Sequence, residues 1–200
     1  MTANATPPRN RRTFLILAGL FFLPFLSAWI YFRFLPQLHP TNFTNYGELI
    51  QPARPLPALS LVDINGAAVA ADVLQHKWSL VYVGGTECAE ACLKRLVMFR
   101  QIRLALGKDL QRAQRIYIAP DVATAAALHA ELAKDHADLH VYADTGSSGA
   151  RASDFFHSAD PTAIYAVDPL GNWFMVYSGA VDPKGPYGDL HKLMKLSTIG

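Results

Sequence analysis

The sequence predicts an α/β domain with a mixed sheet and flanking helices, preceded by one transmembrane helix. Three observations predict this architecture. An apolar run near the N-terminus is long enough to cross a bilayer. The remainder alternates short apolar runs with helix-like segments, as α/β domains do. Near the C-terminus, two apolar runs flank the turn Asp168–Asn172, which predicts an antiparallel hairpin in the same sheet.

The apolar run Phe14–Leu35 holds 22 residues, and Arg33 carries its only charge. Arginines stand before the run at positions 9, 11 and 12, and no acidic residue occurs before Glu48. By the positive-inside rule, residues 1–13 are predicted to be cytoplasmic, residues 14–35 to span the membrane, and the rest to be exported. A cleaved signal peptide is the alternative, but the run is long for one and no convincing cleavage site follows it.

The segment after the apolar run differs in composition from the rest of the chain. Residues 36–57 are rich in Pro, Asn and Thr, which predicts an extended linker in front of a domain covering residues 58–200. All 16 acidic residues fall in the exported part, whereas four of the 18 Lys and Arg residues lie before it. This slight acidic excess gives no sign of nucleic-acid binding.

Five segments are predicted to be strands because they are short, apolar and rich in β-branched or aromatic residues. An Asn65–Gly66 pair between apolar runs also predicts a hairpin over Leu59–Val69. The five predicted strands are Trp78–Val83, Arg115–Ala119, Leu139–Tyr142, Ala163–Val167 and Trp173–Tyr177.

Four segments of the exported part are predicted to be helices. Cys88–Leu106 shows apolar residues at a spacing of 3.6, with Gly107 as the stop. Asp121 is predicted to cap an Ala-rich helix, Val122–Lys134. The remaining two are a short helix over Ala150–Phe156 and a terminal helix over Tyr187–Leu196.

The only two cysteines, Cys88 and Cys92, follow a strand and a Gly-Gly turn. Four residues apart at a helix start, they are close enough to form a disulfide or to share a metal ion. The positive end of a helix dipole favours the thiolate, so we predict Cys88 to attack and Cys92 to resolve. Two inert core thiols are the alternative. A bridge across so short a loop stabilises little by chain entropy, which favours a redox or metal role.

Charged residues beside the cysteines act in opposite directions. Glu87 and Glu90 are expected to raise the pKa of a neighbouring thiol, whereas Lys94 and Arg95 are expected to offset them. The two acids are also explained more simply as a solvated start of the helix.

Several of these motifs together resemble the Sco/SenC family. They are the hairpin, the Trp-Ser-Leu-Val-Tyr strand, a Gly-x-Thr-x-Cys-x-x-x-Cys corner from Gly84 to Cys92, and Ile-Tyr-x-x-Asp-Pro-x-Gly from Ile164 to Gly171. The resemblance covers about residues 56 to 196. It implies a membrane-tethered thioredoxin fold that delivers copper to, or reduces the thiols of, cytochrome c oxidase subunit II. The Asp-Pro-Leu-Gly-Asn and Asp-Pro-Lys-Gly stretches look closest to a small bacterial transmembrane group linked to cytochrome oxidase biogenesis.

The sequence departs from the family at the third copper ligand, a histidine shortly before the Ile-Tyr strand. Aligning on that strand places Asp160 there, and His157 lies three residues earlier. The resemblance thus implies a Cu(I) site of Cys88, Cys92 and His157 in which the third ligand is displaced. Asp160 and Pro161 are expected to line the thiol site, with a cis bond before Pro161 as in thioredoxins. These departures argue against copper binding and favour thiol exchange as the chemistry of the cysteine pair.

The sequence therefore predicts a single-pass protein of the bacterial inner membrane with a periplasmic thioredoxin-like domain. Its predicted role is cytochrome c oxidase biogenesis by thiol–disulfide exchange, with an oxidase subunit or other assembly factors as partners. A Cu(I) metallochaperone for the oxidase copper centre and a non-catalytic assembly scaffold are the alternatives. Cu(I) is the one cofactor that the resemblance implies.

Overall fold

The computed structural model describes residues 9–34, 45–146 and 149–200, which form two units on either side of residue 44. The first unit contains helix α1, Arg9–Phe34. Its stretch Arg11–Phe34 is long and apolar enough to cross a membrane, and its large apolar side chains are exposed. Residues 14–34 of the predicted span lie within this helix, and Leu35 lies outside the described residues.

The second unit is built on a seven-stranded mixed sheet. Its spatial order is β1-β7-β6-β3-β4-β5-β2. The central strands β3, β4 and β5 run parallel, and every other pair is antiparallel. The strands are β1 (Glu48–Pro55), β2 (Leu61–Val62), β3 (Trp78–Val83), β4 (Ala113–Ala119), β5 (Leu139–Asp144), β6 (Ile164–Val167) and β7 (Asn172–Tyr177).

Helices cover both faces of this sheet. One face packs against three helices, and the other packs against one short helix and the loops between residues 56 and 74. The three helices on the first face are α2 (Glu90–Ala105), α3 (Val122–Leu132) and α5 (Lys184–Leu196). The short helix on the second face is α4 (Ala152–Phe155). A mixed sheet with flanking helices is the architecture that the alternating sequence pattern predicts.

The segment predicted to be a linker is partly folded, so that prediction is wrong for residues 48–55. They form strand β1, which pairs with β7 at the edge of the sheet. The prolines that indicated a linker, Pro52 and Pro55, are tolerated because an edge strand leaves one row of backbone groups unpaired. The folded unit therefore begins at Asn45 rather than at residue 58.

Other predicted elements differ at their ends. Strand β3 has the predicted bounds, and Asp121 caps α3 by accepting a hydrogen bond from the Thr124 N–H at 2.8 Å. The Asn65–Gly66 turn forms, but its first arm, β2, pairs mainly with β5. Helix α2 begins at Glu90 instead of Cys88, because Ala89 has extended backbone angles and serves as the N-cap.

A buried polar cluster joins strand β4 to helix α2. Arg115 on β4 donates a hydrogen bond to the Leu96 carbonyl at 3.1 Å and another to Nδ1 of His136 at 3.2 Å. Both side chains are buried. Since Nδ1 accepts this bond, His136 is held in its neutral form. Burial, followed by the neighbouring charges of Arg115 and Arg100, lowers the pKa of His136, although Asp138 and Asp135 act in the opposite direction.

We expect this histidine to make folding acid-sensitive. Between about pH 7 and 5.5 the unfolded chain protonates the histidine, whose reference pKa is about 6.5, while the folded chain resists the proton. The contribution of His136 to the free energy of unfolding should therefore be constant above pH 7 and be lost as the pH drops below 6.5. His136→Asn keeps an acceptor for Arg115 and should flatten this decline, as measured by denaturant unfolding across the range. The exposed His191→Asn is the control and should keep the wild-type slope. An unchanged slope in His136→Asn would contradict the assignment.

Candidate redox site

The two cysteines lie at the corner between strand β3 and helix α2. They are joined by a disulfide, with a Cα–Cα separation of 5.2 Å. Cys88 precedes the N-cap residue Ala89, and Cys92 is in the first turn of the helix. The cysteines are 8% and 4% exposed, but the residues on both sides of Cys88 are exposed. The order of exposure matches the predicted roles, which remain predictions.

The helix start places partial positive charge beside the disulfide. The exposed acid Glu90 lies in the same turn, where it forms an ion pair of 2.6 Å with Lys94 one turn on. Both partners are largely exposed, so solvent screens the pair and it contributes little to stability. Lys94 is thus paired with Glu90, whereas Arg95 contacts a different carboxylate.

That carboxylate belongs to Asp160, in the loop before β6. Nη2 of Arg95 lies 3.4 Å from Oδ2 of Asp160, and it also donates to the Thr162 hydroxyl at 3.1 Å and the Gly179 carbonyl at 2.7 Å. The Asp160 carboxylate accepts three further hydrogen bonds, from the N–H and the hydroxyl of Thr162, both at 2.8 Å, and from the Gly179 N–H at 2.6 Å. One ion pair thus ties the loops before β6 and after β7 to the helix that carries Cys92.

This network keeps Asp160 charged. Burial by itself raises the pKa of the carboxyl group, but the hydrogen bonds from Thr162 and Gly179 and the charge of Arg95 outweigh it. The net result is a pKa below the ordinary value, because each of these contacts favours the ionised form.

Pro161 lies in a turn that is bonded to strand β3. The Tyr82 hydroxyl donates to the Pro161 carbonyl at 3.2 Å, and the Ala163 N–H donates to the Asp160 carbonyl at 3.1 Å. Pro161 thereby takes the second position of a β-turn, where trans proline is favoured. The predicted cis bond before Pro161 is wrong: within the described residues, the one cis peptide bond is Gln51–Pro52.

His157 lies on the opposite face of the sheet from the cysteines. Its ring is exposed, meets the Trp173 ring edge-on at 5.8 Å between centroids, and contacts the Phe155 carbonyl through Nδ1 at 3.0 Å. Trp173 belongs to one apolar cluster, and Cys88 and Cys92 belong to the other. Among the described residues, no group of three His, Cys, Asp or Glu side chains is placed to hold a metal ion. A ligand role for His157 remains a prediction.

Arg95 is the residue of this site that sequence reasoning missed, having considered it only as a charge near the thiols. A signal was present, because Arg95 falls within the helix face that buries Cys92, Leu96 and Phe99. A charged residue on a buried face requires a partner. The partner, Asp160, is 65 positions away in the sequence, so no local pattern could identify it.

A mixed sheet with flanking helices and a cysteine pair at this corner defines a thioredoxin-like domain. The chain belongs to the family described as transmembrane-like, thioredoxin-like, C-terminal domain, whose model matches residues 78–197. No curated protein matches the sequence significantly.

Solved structures of Sco proteins are similar in fold. Yeast Sco1 with copper bound shows a TM-score of 0.61 at 20% identity, covering 74% of this chain and 97% of that one. Arabidopsis thaliana ScoI with copper bound has a TM-score of 0.55 at 17% identity, and the match covers 72% of this chain and 99% of that one. Bradyrhizobium japonicum ScoI with copper bound has a TM-score of 0.52 at 22% identity, and the match covers 70% of this chain and 99% of that one. These likenesses establish the fold, which is the fold that the resemblance to the Sco/SenC family implies.

Proposed function

We propose that this protein is a membrane-anchored thioredoxin-like factor that serves cytochrome c oxidase biogenesis by thiol–disulfide exchange. The observation that carries the chemistry is the Cys88–Cys92 disulfide at the start of α2. The link to the oxidase is supported by the sequence resemblance to the Sco/SenC family, which implies a role in oxidase assembly, and by the fold shared with copper-bound Sco structures. The apolar helix and its preceding arginines support an anchor in the bacterial inner membrane with the domain in the periplasm.

The proposed reaction begins with the reduced protein. The Cys88 thiolate attacks one sulfur of a partner disulfide, forms a mixed disulfide and releases the other partner sulfur as a thiolate. Cys92, four residues away, then attacks Cys88 and releases the second partner thiol. The partner gains two electrons, and the Cys88–Cys92 disulfide is restored. The start of α2 favours the thiolate form on which the first step depends.

Delivery of Cu(I) is the second candidate, favoured by the copper bound in the Sco structures that share this fold. Two thiolates from Cys88 and Cys92 suit Cu(I), and imidazole suits it as a third ligand. His157, the predicted third ligand, contacts Trp173 on the other face of the sheet. Asp160, which aligns with the family's histidine, is engaged by Arg95. These placements favour exchange over copper delivery.

Trapping the mixed disulfide tests the proposed chemistry. In detergent, reduced full-length protein carrying Cys92→Ser should accumulate a mixed disulfide with a disulfide-bonded peptide, because the resolving thiol is absent. Protein carrying Cys88→Ser should accumulate far less, because Cys92 lies inside the first helical turn and is the less exposed thiol. Mass spectrometry of the non-reduced samples measures both adducts. Equal and slow labelling of the two variants would make the pair a structural feature and overturn the proposal.

A further inference from the structure

Arg95 follows Cys92 by three residues on α2, so the two side chains are neighbours on the helix. The Arg95 side chain is 8% exposed, and the Asp160 side chain opposite it is 20% exposed. A charge pair at this depth is screened less by solvent than a surface pair is. The two charges therefore act on the groups around the start of α2.

Tyr82 shows that both charges act on the strand that leads into the cysteine corner. Burial raises the pKa of its hydroxyl group, the negative charge of Asp160 raises it further, and the positive charge of Arg95 lowers it. Tyr82 lies on β3, and its hydroxyl contacts the Pro161 carbonyl beside Asp160. Arg95 and Asp160 thus shift the pKa of the Tyr82 hydroxyl group in opposite directions.

Reduction of the disulfide creates negative charge at the same corner. The Cys88–Cys92 bond takes up two electrons and two protons to give two thiols. A thiol whose pKa lies near or below the ambient pH then loses its proton and becomes a negatively charged thiolate. A positive neighbour stabilises the thiolate and hence the reduced pair, whereas a negative neighbour has the opposite effect.

We infer that Arg95 and Asp160 form an opposed charge pair that sets the redox equilibrium of the Cys88–Cys92 disulfide. Arg95 favours the dithiol, and Asp160 restrains that effect by neutralising Arg95. The two are positioning and tuning residues, and they form no bond to a partner. This inference rests on the proposed exchange function, because it concerns the equilibrium of the same disulfide.

Equilibration with glutathione tests the inference on the full-length protein in detergent at pH 8. Each reduction of the disulfide oxidises two glutathione thiols to one glutathione disulfide, so the balance is closed. Asp160→Asn should shift the equilibrium toward the dithiol by about threefold to tenfold, or roughly 15–30 mV. Arg95→Gln should shift it toward the disulfide by about the same factor, and Arg95→Lys should shift it less, because it keeps the charge.

The opposite signs separate tuning from a structural role, in which loss of either partner would loosen the same loops and shift the equilibrium in one direction. The exposed Lys94→Gln is the matched control and should change the equilibrium by less than about twofold, since solvent screens its charge. Shifts of the same sign in the two variants, or no shift, would overturn the inference even when the wild-type protein equilibrates normally. A wild-type disulfide that does not equilibrate with glutathione at any ratio would instead overturn the proposed exchange function.

Discussion

Replacing Gly84 with alanine should destabilise the folded domain by about 3 kcal/mol, at the upper end of the usual cost of overpacking. A Cβ atom at this position would lie 1.8 Å from the Tyr117 hydroxyl oxygen and 2.2 Å from Cζ of the same ring. The Tyr117 ring is fully buried and packs against the Tyr82 ring at 5.2 Å between centroids, so it has little room to move. The backbone is held as well, since the Gly84 N–H donates to the Ile118 carbonyl at 3.0 Å.

Denaturant unfolding of the full-length protein measures this loss. Gly85→Ala is a matched control one residue away, because a Cβ atom there meets nothing within 4 Å, and it should change stability by less than about 0.5 kcal/mol. Tyr117→Leu will itself be destabilising, but combined with Gly84→Ala it should cost less than the sum of the two single changes. Equal stability of Gly84→Ala and Gly85→Ala would show that the corner tolerates the methyl group and would contradict this packing.

The contact between Gly84 and Tyr117 explains why the cysteine corner can be predicted from the sequence, whereas the side chain that packs beneath it cannot. A buried strand followed by Gly84–Gly85 and two cysteines is a local pattern, and β3 has its predicted bounds. The need for glycine at position 84 comes from Tyr117 on β4, a residue 33 positions away. Sequence spacing indicates where a turn falls, but it contains no information on which side chain from another strand fills the space beneath it.

The N-terminal part of the domain shows a second limit. The prolines of residues 48–55 indicate irregular backbone, and only the sheet order reveals that this segment is an edge strand, where prolines are tolerated. Its anchoring is likewise non-local, since the buried carboxylate of Asp189 on α5 accepts hydrogen bonds from the Tyr46 and Gly47 N–H groups at 2.9 and 3.0 Å. Such pairings depend on the assembled fold.

The candidate site divides in the same way. Short motifs mark the cysteine pair, and the family resemblance singles out Asp160 and Pro161 before strand β6. The trans geometry of Pro161 follows from a β-turn, and the role of Asp160 follows from Arg95, which reaches it only when α2 packs on the sheet. The position of His157 beside Trp173 depends on the face of the sheet to which its loop turns.

The second large effect concerns oxidase maturation. In a strain lacking this protein, a copy carrying Cys88→Ser should leave cytochrome c oxidase activity at the level of the deletion strain, because no mixed disulfide can form at Cys88. Ala91→Ser places the same hydroxyl group at an exposed position between the two cysteines, and it should restore activity as the wild-type protein does. Immunoblots of the membranes confirm that each variant accumulates.

Oxidase activity of the Cys88→Ser membranes, with and without copper added during growth, tests the central claim most directly. If the missing step is transfer of electrons to a partner disulfide, added copper should not restore activity, and we predict equal loss in both conditions. Restoration by copper would contradict thiol–disulfide exchange and make Cu(I) delivery the function. Full activity of Cys88→Ser without added copper would contradict both chemistries, since each depends on Cys88, and would favour the scaffold role.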